Sequence, residues 1–231
     1  MLTPTVIVTP AELDAAEIEL GGDSHHHLFR VRRVGTGDSL RLVDGAGRAR
    51  SGTVATVTRR RAVVAVGDPV AANEPRLHVE LVVGALRRER ASWLVEKATE
   101  LGAGAIRFVT SERSPRRFGA GTFERLRRVA RGAVEQCGRA RVPELSGVHP
   151  WTDVPGLVAA ADEPWLLDPG ATAGLDPAAT ASALVVGPEG GWSAAERDAL
   201  RDLGCRPARL GDRVLRVETA AVAALARLLA G

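Results

Sequence analysis

The chain has 231 residues, which at about 150 residues per domain is enough for one large domain or two small ones. Its 45% hydrophobic and 26% charged residues are typical of a folded globular protein and exclude a disordered chain. With 31 basic and 28 acidic residues the net charge is only +3, and no apolar run reaches the roughly 18 residues that a membrane span requires.

The N-terminal segment and the cysteines predict the compartment. The first residues, MLTPTVIVTPAELDAAE, contain no basic segment and turn acidic at once, so we expect no signal peptide. The two cysteines, Cys137 and Cys205, lie far apart with no metal-ligand spacing, which excludes a disulfide scaffold. The expected location is therefore the reducing cytoplasm.

The first seventy residues predict short strands broken by turns. Apolar and polar residues alternate across 31–67, and glycines supply the turns at Gly35, Gly37, Gly45 and Gly47. This pattern indicates a small β-barrel or sandwich. It ends at 68–76, where two prolines and an asparagine are typical of a linker. We therefore divide the chain into a β domain at 1–70 and a second domain at 71–231.

From Leu77 onward the pattern changes to strands that alternate with helices, which predicts a parallel α/β sheet. Buried strands are predicted at 77–84, 105–110, 164–168 and 183–187, with a short strand at 207–210. Helices are predicted at 89–101, 123–139, 193–203 and 218–229. Gly102 is a natural C-cap for the first of these helices, and Ser193 with Glu196 predicts a capping box at the third.

Positive charge is concentrated in two segments. Thirty of the 31 basic residues are arginine. Residues 107–141 contain ten arginines against three glutamates, and residues 28–61 contain nine arginines against two aspartates, so each segment has a local net charge of +7. Such density favours a polyanion partner, with a salt-bridged solvent face as the alternative. With only four Phe and four Trp, the chain is not typical of a protein that binds single strands by stacking their bases.

The strongest chemical motif is VVGPEGGWSAAE at 185–196, where a buried strand ends in a glycine-rich turn that leads into a capped helix. Ligands of open α/β sheets bind at such carboxyl ends of strands, and glycines let the backbone approach them closely. The turn is neither a Walker loop nor a GxGxxG motif, which disfavours a nucleotide-phosphate site. Glu189 within the turn would favour a cationic ligand. A purely structural tight turn is the alternative.

A second motif, RLGDRVLRVETAAVAAL at 209–225, places Arg216, Glu218 and Thr219 at the start of the last predicted helix. Glu218 and Thr219 are explained as a first-turn acid and a helix cap. Arg216 is not, because a cation opposes the dipole at a helix N-terminus. We expect an ion pair with Glu189 or Glu218, or a negative substrate group, to offset that cost.

Two other kinds of site are disfavoured. His25, His26 and His27 are consecutive, so they do not share one face of a helix or strand, and no cysteine or acidic cluster completes a metal site. The chain contains no G-x-S-x-G motif of the kind that Ser/His/Asp hydrolases carry, and neither His78 nor His149 has an evident nucleophile partner. We therefore expect no metal and no such hydrolase.

Taken together and in this order, the segments of the chain resemble the RsmE family, the bacterial 16S ribosomal RNA uridine-N3 methyltransferases of the SPOUT superfamily. The resemblance is nearly chain-long and is carried by HHHLFRVRRVGTGDSLRLVDGAG, EKATELGAGAI, SERSPRR, EQCGRARVPEL, VVGPEGGWSAAE and LGDRVLRVETAAVAAL. The chain departs from the family at Arg87 and Arg88, where lysine is common, and at Pro115, where an apolar residue is more usual. Arginine for lysine keeps the charge and changes the hydrogen-bond geometry.

The resemblance implies an N-terminal PUA-like β-barrel that binds RNA and a C-terminal SPOUT domain with a parallel sheet and a deep trefoil knot, at which S-adenosylmethionine binds. It also implies a homodimer that acts on the 16S rRNA of the small ribosomal subunit, with no membrane and no metal. Two alternatives stay open. One is a non-catalytic RNA-binding protein with a degenerate knot domain, and the other is a SPOUT enzyme that acts on ribose or on transfer RNA.

The resemblance further implies roles for individual residues. The cofactor pocket would be lined, largely by backbone groups, by Leu167, Gly187, Pro188, Glu189, Gly190, Gly191, Leu210, Gly211, Val214, Leu215 and Arg216. The candidate bases for the N3 proton are Glu189 and Glu218, and the candidate stabilisers of the uridine anion are Arg216 and Arg113.

RNA contacts are expected from Arg30, Arg32, Arg33, Lys97, Arg116, Arg117, Gln136 and Arg139. For Lys97 the alternative is an ion pair with Glu100 on the helix surface, and for Gln136 it is the capping of a helix end.

Overall fold

The structure of the chain is a computed structural model that describes residues 3–31, 33–114, 118–119, 121–176 and 182–229. The chain forms two compact units. The first unit comprises Met1–Glu74 and Arg131–Val142, and the second comprises Pro75–Ala130 and Pro143–Gly231. The domain division at about residue 70 stays a prediction, and the segment 131–142 belongs to the first unit in the structure.

The first unit is built on a five-stranded sheet. Its strands are β1 (Thr5–Ile7), β2 (Glu17–Leu20), β3 (Ser39–Val43), β4 (Ala49–Val57) and β5 (Ala62–Pro69). The order is β1-β3-β4-β5-β2, with β1 parallel to β3 and the other neighbours antiparallel. In β2, Ile18 and Leu20 are buried and Glu17 and Glu19 are exposed, as expected of a strand with one face on a core. The predicted strands are confirmed, and closure into a barrel stays a prediction.

Short helical segments also occur in the first unit, and the sequence pattern does not predict them. They are α1 (Pro10–Leu13), α2 (Gly22–His25) and a π-helical segment, His26–Val31. Helices of four to six residues are too short to show a helical hydrophobic period. His25 is buried, with its Nε2 3.1 Å from the carbonyl oxygen of Thr58 and its ring centroid 5.0 Å from that of Phe29. This histidine is therefore part of the core.

The segment 131–142 joins the first unit through both packing and hydrogen bonds. Val134 and Ala140 are buried in a cluster with Ile7, Val43 and Ala49. The carboxylate of Glu74 accepts hydrogen bonds from the backbone N–H groups of residues 140 and 141, at 2.8 and 2.9 Å.

The second unit is a six-stranded parallel sheet with helices between its strands, which confirms the predicted α/β class. The strands are β6 (Glu80–Gly84), β7 (Ala105–Val109), β8 (Glu144–His149), β9 (Pro164–Leu167), β10 (Ala183–Val186) and β11 (Arg206–Ala208). Their order is β11-β9-β10-β6-β7-β8, and every neighbouring pair is parallel. All four residues of β9 and of β10 are buried, as expected for strands at the centre of a covered sheet.

Apart from one short helix that is not predicted, the helices that follow these strands have the predicted order and nearly the predicted bounds. They are α3 (Arg88–Leu101), α4 (Thr122–Cys137), α5 (Val154–Ala159), α6 (Ala194–Asp202) and α7 (Val217–Leu229). Gly102 ends α3 in the left-handed conformation, with φ of 103°, and Ser193 with Glu196 forms the predicted capping box of α6. No helix of the described residues is long and apolar enough to cross a membrane.

Two elements of the second unit, β8 and α5, are not predicted from the sequence. The strand β8 lies at the edge of the sheet, and its burial pattern has neither strict alternation nor a continuous apolar run. Helix α5 has only six residues. Both lack the length or the period that makes an element recognisable in a sequence.

Candidate functional site

A cavity of about 450 Å³ lies in the second unit, where β9, β10 and β11 end. This is the carboxyl edge of the parallel strands, where open α/β sheets bind ligands. The volume falls in the range of small-molecule sites. The lining comes from the last residues of those strands, from the segments after them and from three helices, as follows: Leu167, Asp168, Pro169, Val186, Gly187, Pro188, Glu189, Gly191, Trp192, Ala208, Arg209, Leu210, Gly211, Arg213, Val214, Leu215, Arg216, Val217, Ala220, Arg90 and Arg197.

Glycines allow the close approaches that form the cavity wall. A Cβ on Gly84, at the end of β6, would lie 2.4 Å from the backbone nitrogen of Pro188. A Cβ on Gly187 would lie 3.2 Å from the indole ring of Trp192. The glycine-rich turn therefore packs against the strand end and against its own tryptophan, and only a residue without a side chain fits at Gly84.

The structure brings the residues expected in the cofactor pocket together around this cavity, with the exception of Gly190. Gly190 instead faces Arg113: the Arg113 Nη1 group donates to the Gly190 carbonyl oxygen at 3.4 Å, and a Cβ on Gly190 would lie 3.1 Å from the Arg113 Cβ. The cofactor role of all these residues stays a prediction.

The carboxylates of Glu189 and Glu218 meet at one arginine, Arg90. The Arg90 Nη1 atom lies 2.7 Å from Glu189 Oε1, and its Nε atom lies 3.5 Å from Glu218 Oε1. Glu218 is buried, and its Oε2 atom has no hydrogen-bond partner among the described residues. Glu189 is more accessible and lines the cavity. Both candidate bases are therefore within one ion-paired network.

Arg216 does not form the ion pair that was one of the two expectations for it. Its side chain is exposed at the cavity, and within the described part of the chain it contacts no carboxylate, because Arg90 occupies Glu189 and Glu218. The neighbouring Val214 is 82% exposed although it is apolar. The segment before α7 thus presents a cation and an apolar side chain to solvent at the mouth of the cavity.

Glu196 connects the capped helix to the segment that carries Arg113. Its Oε2 atom accepts from the Ser193 backbone N–H at 2.8 Å, which closes the capping box. Its Oε1 atom accepts from the Glu112 backbone N–H at 2.9 Å. Because Glu112 directly precedes Arg113, this second hydrogen bond fixes the position of Arg113 beside Gly190.

Some cavity residues escape the sequence analysis. Asp168 has a signal that could have found it, because it directly follows a buried strand at the carboxyl edge of the sheet. Trp192 closes the glycine-rich turn, and its buried indole Nε1 has no hydrogen-bond partner among the described residues. Arg90 has no such signal, since its partner Glu189 is 99 residues away in the sequence.

The residues predicted to contact RNA fall into different environments. Arg30, Arg33 and Gln136 are exposed. Arg33 has φ of 59°, a left-handed conformation that is uncommon for arginine. Arg32, Arg116 and Arg117 lie outside the described residues.

Lys97 and Arg139, two of the residues predicted to contact RNA, have carboxylate partners within the chain, and their RNA contacts stay a prediction. Lys97 Nζ bonds the carboxylates of Glu96 and Glu100 at 2.7 and 2.9 Å, and these hydrogen bonds raise the pKa of the ammonium group. This is the helix-surface ion pair named as the alternative. Arg139 is 4% exposed and lies 2.7 Å from the carboxylate of Glu74, so its guanidinium is held inside the first unit.

Part of the concentrated positive charge is neutralised by ion pairs. Arg107 pairs with Glu144 at 2.7 Å, and its hydrogen bonds hold the pKa of that carboxyl below the usual range. Further pairs of the two basic segments are Arg48 with Asp14 and Asp44, Arg61 with Glu19, and Arg127 with Glu124. Several arginines remain exposed without an ion pair among the described residues: Arg30, Arg33, Arg59, Arg60, Arg125, Arg128 and Arg131.

One sequence inference about the histidines is wrong. His149 does have hydroxyl and carboxylate neighbours: its Nε2 atom lies 2.6 Å from Ser146 Oγ and its Nδ1 atom lies 3.3 Å from Asp153 Oδ2. The three residues fall within one short stretch of chain, where β8 leads into the next helical turn. None of them lines the cavity, and Ser146 Oγ also accepts a hydrogen bond from Arg107 at 3.1 Å. Across the described ranges, no group of three or more His, Cys, Asp or Glu residues is arranged to hold a metal ion.

Comparison with known proteins supplies the family. The profile of the RNA methyltransferase domain matches residues 73–229, and that of the RNA methyltransferase PUA domain matches residues 20–66. The chain is 38% identical over 229 residues to ribosomal RNA small subunit methyltransferase E of Mycobacterium bovis, with 88% of this chain and 82% of that protein covered.

Solved structures agree with these matches. The chain is similar to a ribosomal RNA small subunit methyltransferase E from Neisseria gonorrhoeae bound to S-adenosyl methionine, with a TM-score of 0.83, 26% identity, and coverage of 97% of this chain and 96% of that one. It is also similar to a Legionella pneumophila protein in complex with the bound cofactor SAM, with a TM-score of 0.80, 26% identity, and coverage of 98% and 96%. The chain belongs to the RNA methyltransferase family that includes ribosomal RNA small subunit methyltransferase E.

Proposed function

We propose that this protein methylates 16S rRNA of the small ribosomal subunit, with S-adenosylmethionine as methyl donor and N3 of a uridine as acceptor. The observation that carries the proposal is the cavity at the ends of β9, β10 and β11, lined by the residues that the family resemblance implies for cofactor binding. Relatives with this name and SAM-bound structures of similar fold support it.

The residues present fit such a cofactor. The cavity volume of about 450 Å³ suits a small molecule, and its lining includes three glycines, Gly187, Gly191 and Gly211, whose backbone is not covered by a side chain of their own. One buried polar atom without a partner among the described residues, the indole Nε1 of Trp192, belongs to a residue that lines the cavity. This N–H group is a donor for which the described residues supply no acceptor.

The bound cofactor would supply a methyl group on a sulfonium, which is already activated for transfer. The protein must then orient the acceptor base and remove the N3 proton. Glu189, which lines the cavity, and Glu218, which is buried beside it in the Arg90 network, are the two candidates for the base. Arg216, exposed at the cavity, would stabilise the uridine anion, with Arg113 as the second candidate.

The remaining features of the proposal follow from the resemblance. The base must leave its stack to present N3, as other base-modifying enzymes require. The first unit, which contains the PUA-domain match, would bind the RNA backbone. The chain would act as a homodimer in the cytoplasm, and its second unit would contain the trefoil knot.

The test combines cofactor binding with product mapping. Isothermal titration should detect S-adenosylmethionine binding, and mass mapping of 16S rRNA after reaction should locate one methyl group on the base of a uridine. Naked rRNA and assembled subunits are to be compared as substrates. Methylation of ribose or of transfer RNA would establish a different target, and cofactor binding without transfer to any RNA would favour a non-catalytic RNA-binding protein.

A further inference from the structure

Arg90 links three separate segments at the wall of the cavity. It lies in the first turn of α3, and its side chain is 31% exposed. Nη1 contacts Glu189 in the glycine-rich turn at 2.7 Å, and Nε contacts Glu218 in the first turn of α7 at 3.5 Å. One guanidinium therefore determines where both candidate bases lie.

The two carboxylates stabilise the positive charge of Arg90. A cation in the first turn of a helix opposes the helix dipole, so Arg90 is unfavourable at its place in α3 unless anions contact it. The two carboxylates in turn would repel each other if no cation lay between them. The three charges are stable as a group, and removal of the arginine would leave a buried carboxylate without a counter-ion.

Arg90 contacts the two carboxylates unequally. The short contact of Arg90 is to Glu189, whereas Glu218 receives only the longer contact, on Oε1. Its other oxygen, Oε2, is buried and has no partner among the described residues. A buried carboxyl oxygen without a donor is costly, so the position of Glu218 depends on the one contact that Arg90 makes with Oε1.

We propose that Arg90 is a positioning residue of the active site, which anchors Glu189 in the glycine-rich turn at the cavity and joins this turn to Glu218 at the start of α7. The inference rests on the proposed function and adds to it a residue with no assigned role. Arg90 acts through the two carboxylates that it contacts. Other charged groups of the same cavity are Asp168, Arg197, Arg209, Arg213 and Arg216.

A double-mutant cycle separates this role from a merely structural one. Arg90→Met keeps the length of the side chain and removes the charge, and Glu218→Gln removes the carboxylate. We expect Arg90→Met to lower kcat about 10- to 100-fold, with the Kd for S-adenosylmethionine changed by less than about threefold. In the Glu218→Gln background the same change should lower kcat by less than about threefold, because the network of three charges through which Arg90 acts is already broken. Arg90→Lys should restore part of kcat.

Arg107 provides a matched control in the same unit. It contacts Glu144 at 2.7 Å and Glu80 at 3.5 Å, the same two distances as in the Arg90 network, and it does not line the cavity. Arg107→Met should lower the midpoint of thermal unfolding and leave kcat of the folded enzyme unchanged.

Thermal unfolding supplies a readout that does not depend on activity. Arg90→Met should lower the unfolding midpoint, and the additional Glu218→Gln change should restore part of it, since the uncompensated buried charge is removed. Additive effects on kcat, or normal kcat in a folded Arg90→Met enzyme, would overturn the proposal. If the unmodified protein methylates no RNA, the proposed function fails. The role of Arg90 would be rejected independently if the changes in unfolding midpoint caused by Arg90→Met and Glu218→Gln were additive.

Discussion

Single residues at the cavity wall decide whether a ligand fits. Gly187 lines the cavity and leaves only 3.2 Å between a would-be Cβ and the Trp192 ring. A contact this close requires the ring to move by a few tenths of an ångström, and the further carbons of a larger side chain need additional space. The same is true in a stronger form at Gly84, where the nearest atoms are backbone and cannot give way.

Gly187→Val should therefore block cofactor binding while the fold survives. Isothermal titration of S-adenosylmethionine measures the loss, and circular dichroism establishes that the variant is folded. Gly147→Val is the control: Gly147 lies in β8, and no atom lies within 4 Å of the position of its Cβ. Normal cofactor affinity in a folded Gly187→Val protein would place the cofactor elsewhere.

Arg216 is predicted to serve the substrate rather than the fold. Because its exposed side chain has no ion pair within the described ranges, Arg216→Ala should change the melting temperature little. Methyl transfer should fall roughly 10²-fold or more, as when one donor to a developing oxyanion is removed. The measurement is turnover per folded molecule alongside a thermal melt. A stable Arg216→Ala protein with normal turnover would refute the substrate role.

At the scale of elements, helix α6 shows how one residue can serve both local structure and the site. The capping box of Ser193 and Glu196 is a local feature of the sequence. The second hydrogen bond of Glu196, to the Glu112 backbone N–H, joins α6 to a segment 84 residues earlier in the chain. Both of its partners are N–H donors, so both oxygens of the carboxylate are needed as acceptors.

Two variants of this helix should therefore differ in their effect. Ser193→Ala removes the cap on the Glu196 N–H and should cost about 1 kcal/mol of stability with turnover largely kept. Glu196→Gln leaves a single acceptor oxygen for two N–H donors, so the hydrogen bond from either the Glu112 or the Ser193 backbone N–H is lost. We expect a larger fall in kcat for Glu196→Gln than for Ser193→Ala, measured at saturating cofactor. Equal kcat values would contradict a role for Glu196 beyond the helix cap.

For the whole molecule, the distribution of charge is more informative about RNA binding than the net charge. The chain carries a net charge of +3, yet two segments each hold a local surplus of +7. The structure neutralises part of that surplus through pairs such as Arg48 with Asp44, at 2.7 Å, and Arg107 with Glu144. The exposed arginines outside such pairs are the ones available to phosphates.

RNA affinity should accordingly fall steeply with salt, and the first unit should contribute to the slope. Replacing Arg30 and Arg33 with alanine should weaken RNA binding and reduce the slope of log K against log salt by about 0.7 to 0.9 for each lost phosphate contact. Cofactor affinity should not change, because the cavity is lined by residues of the second unit. Arg48→Ala, which removes an arginine already paired with two aspartates, is the control. Salt-independent RNA affinity of the unmodified protein would contradict the electrostatic basis of binding.

The sequence by itself determined the features that depend on near neighbours. The strand alternation of β2, the left-handed Gly102 and the capping box of Ser193 with Glu196 all follow from residues within one or two turns of each other. The glycine-rich turn at 187–191 is likewise visible as a motif. It marks the correct edge of the sheet, because parallel strands bring their carboxyl ends to one side.

Only the tertiary structure decided which distant charges meet. Arg216 was a reasonable partner for Glu189 and Glu218, yet Arg90 occupies both, since helix α3 places its first turn beside them. The segment 131–142 joins the first unit, and Arg139 is buried there against Glu74. Ion pairs of this kind depend on how elements pack across roughly a hundred residues of chain, and no local pattern of residues carries that information.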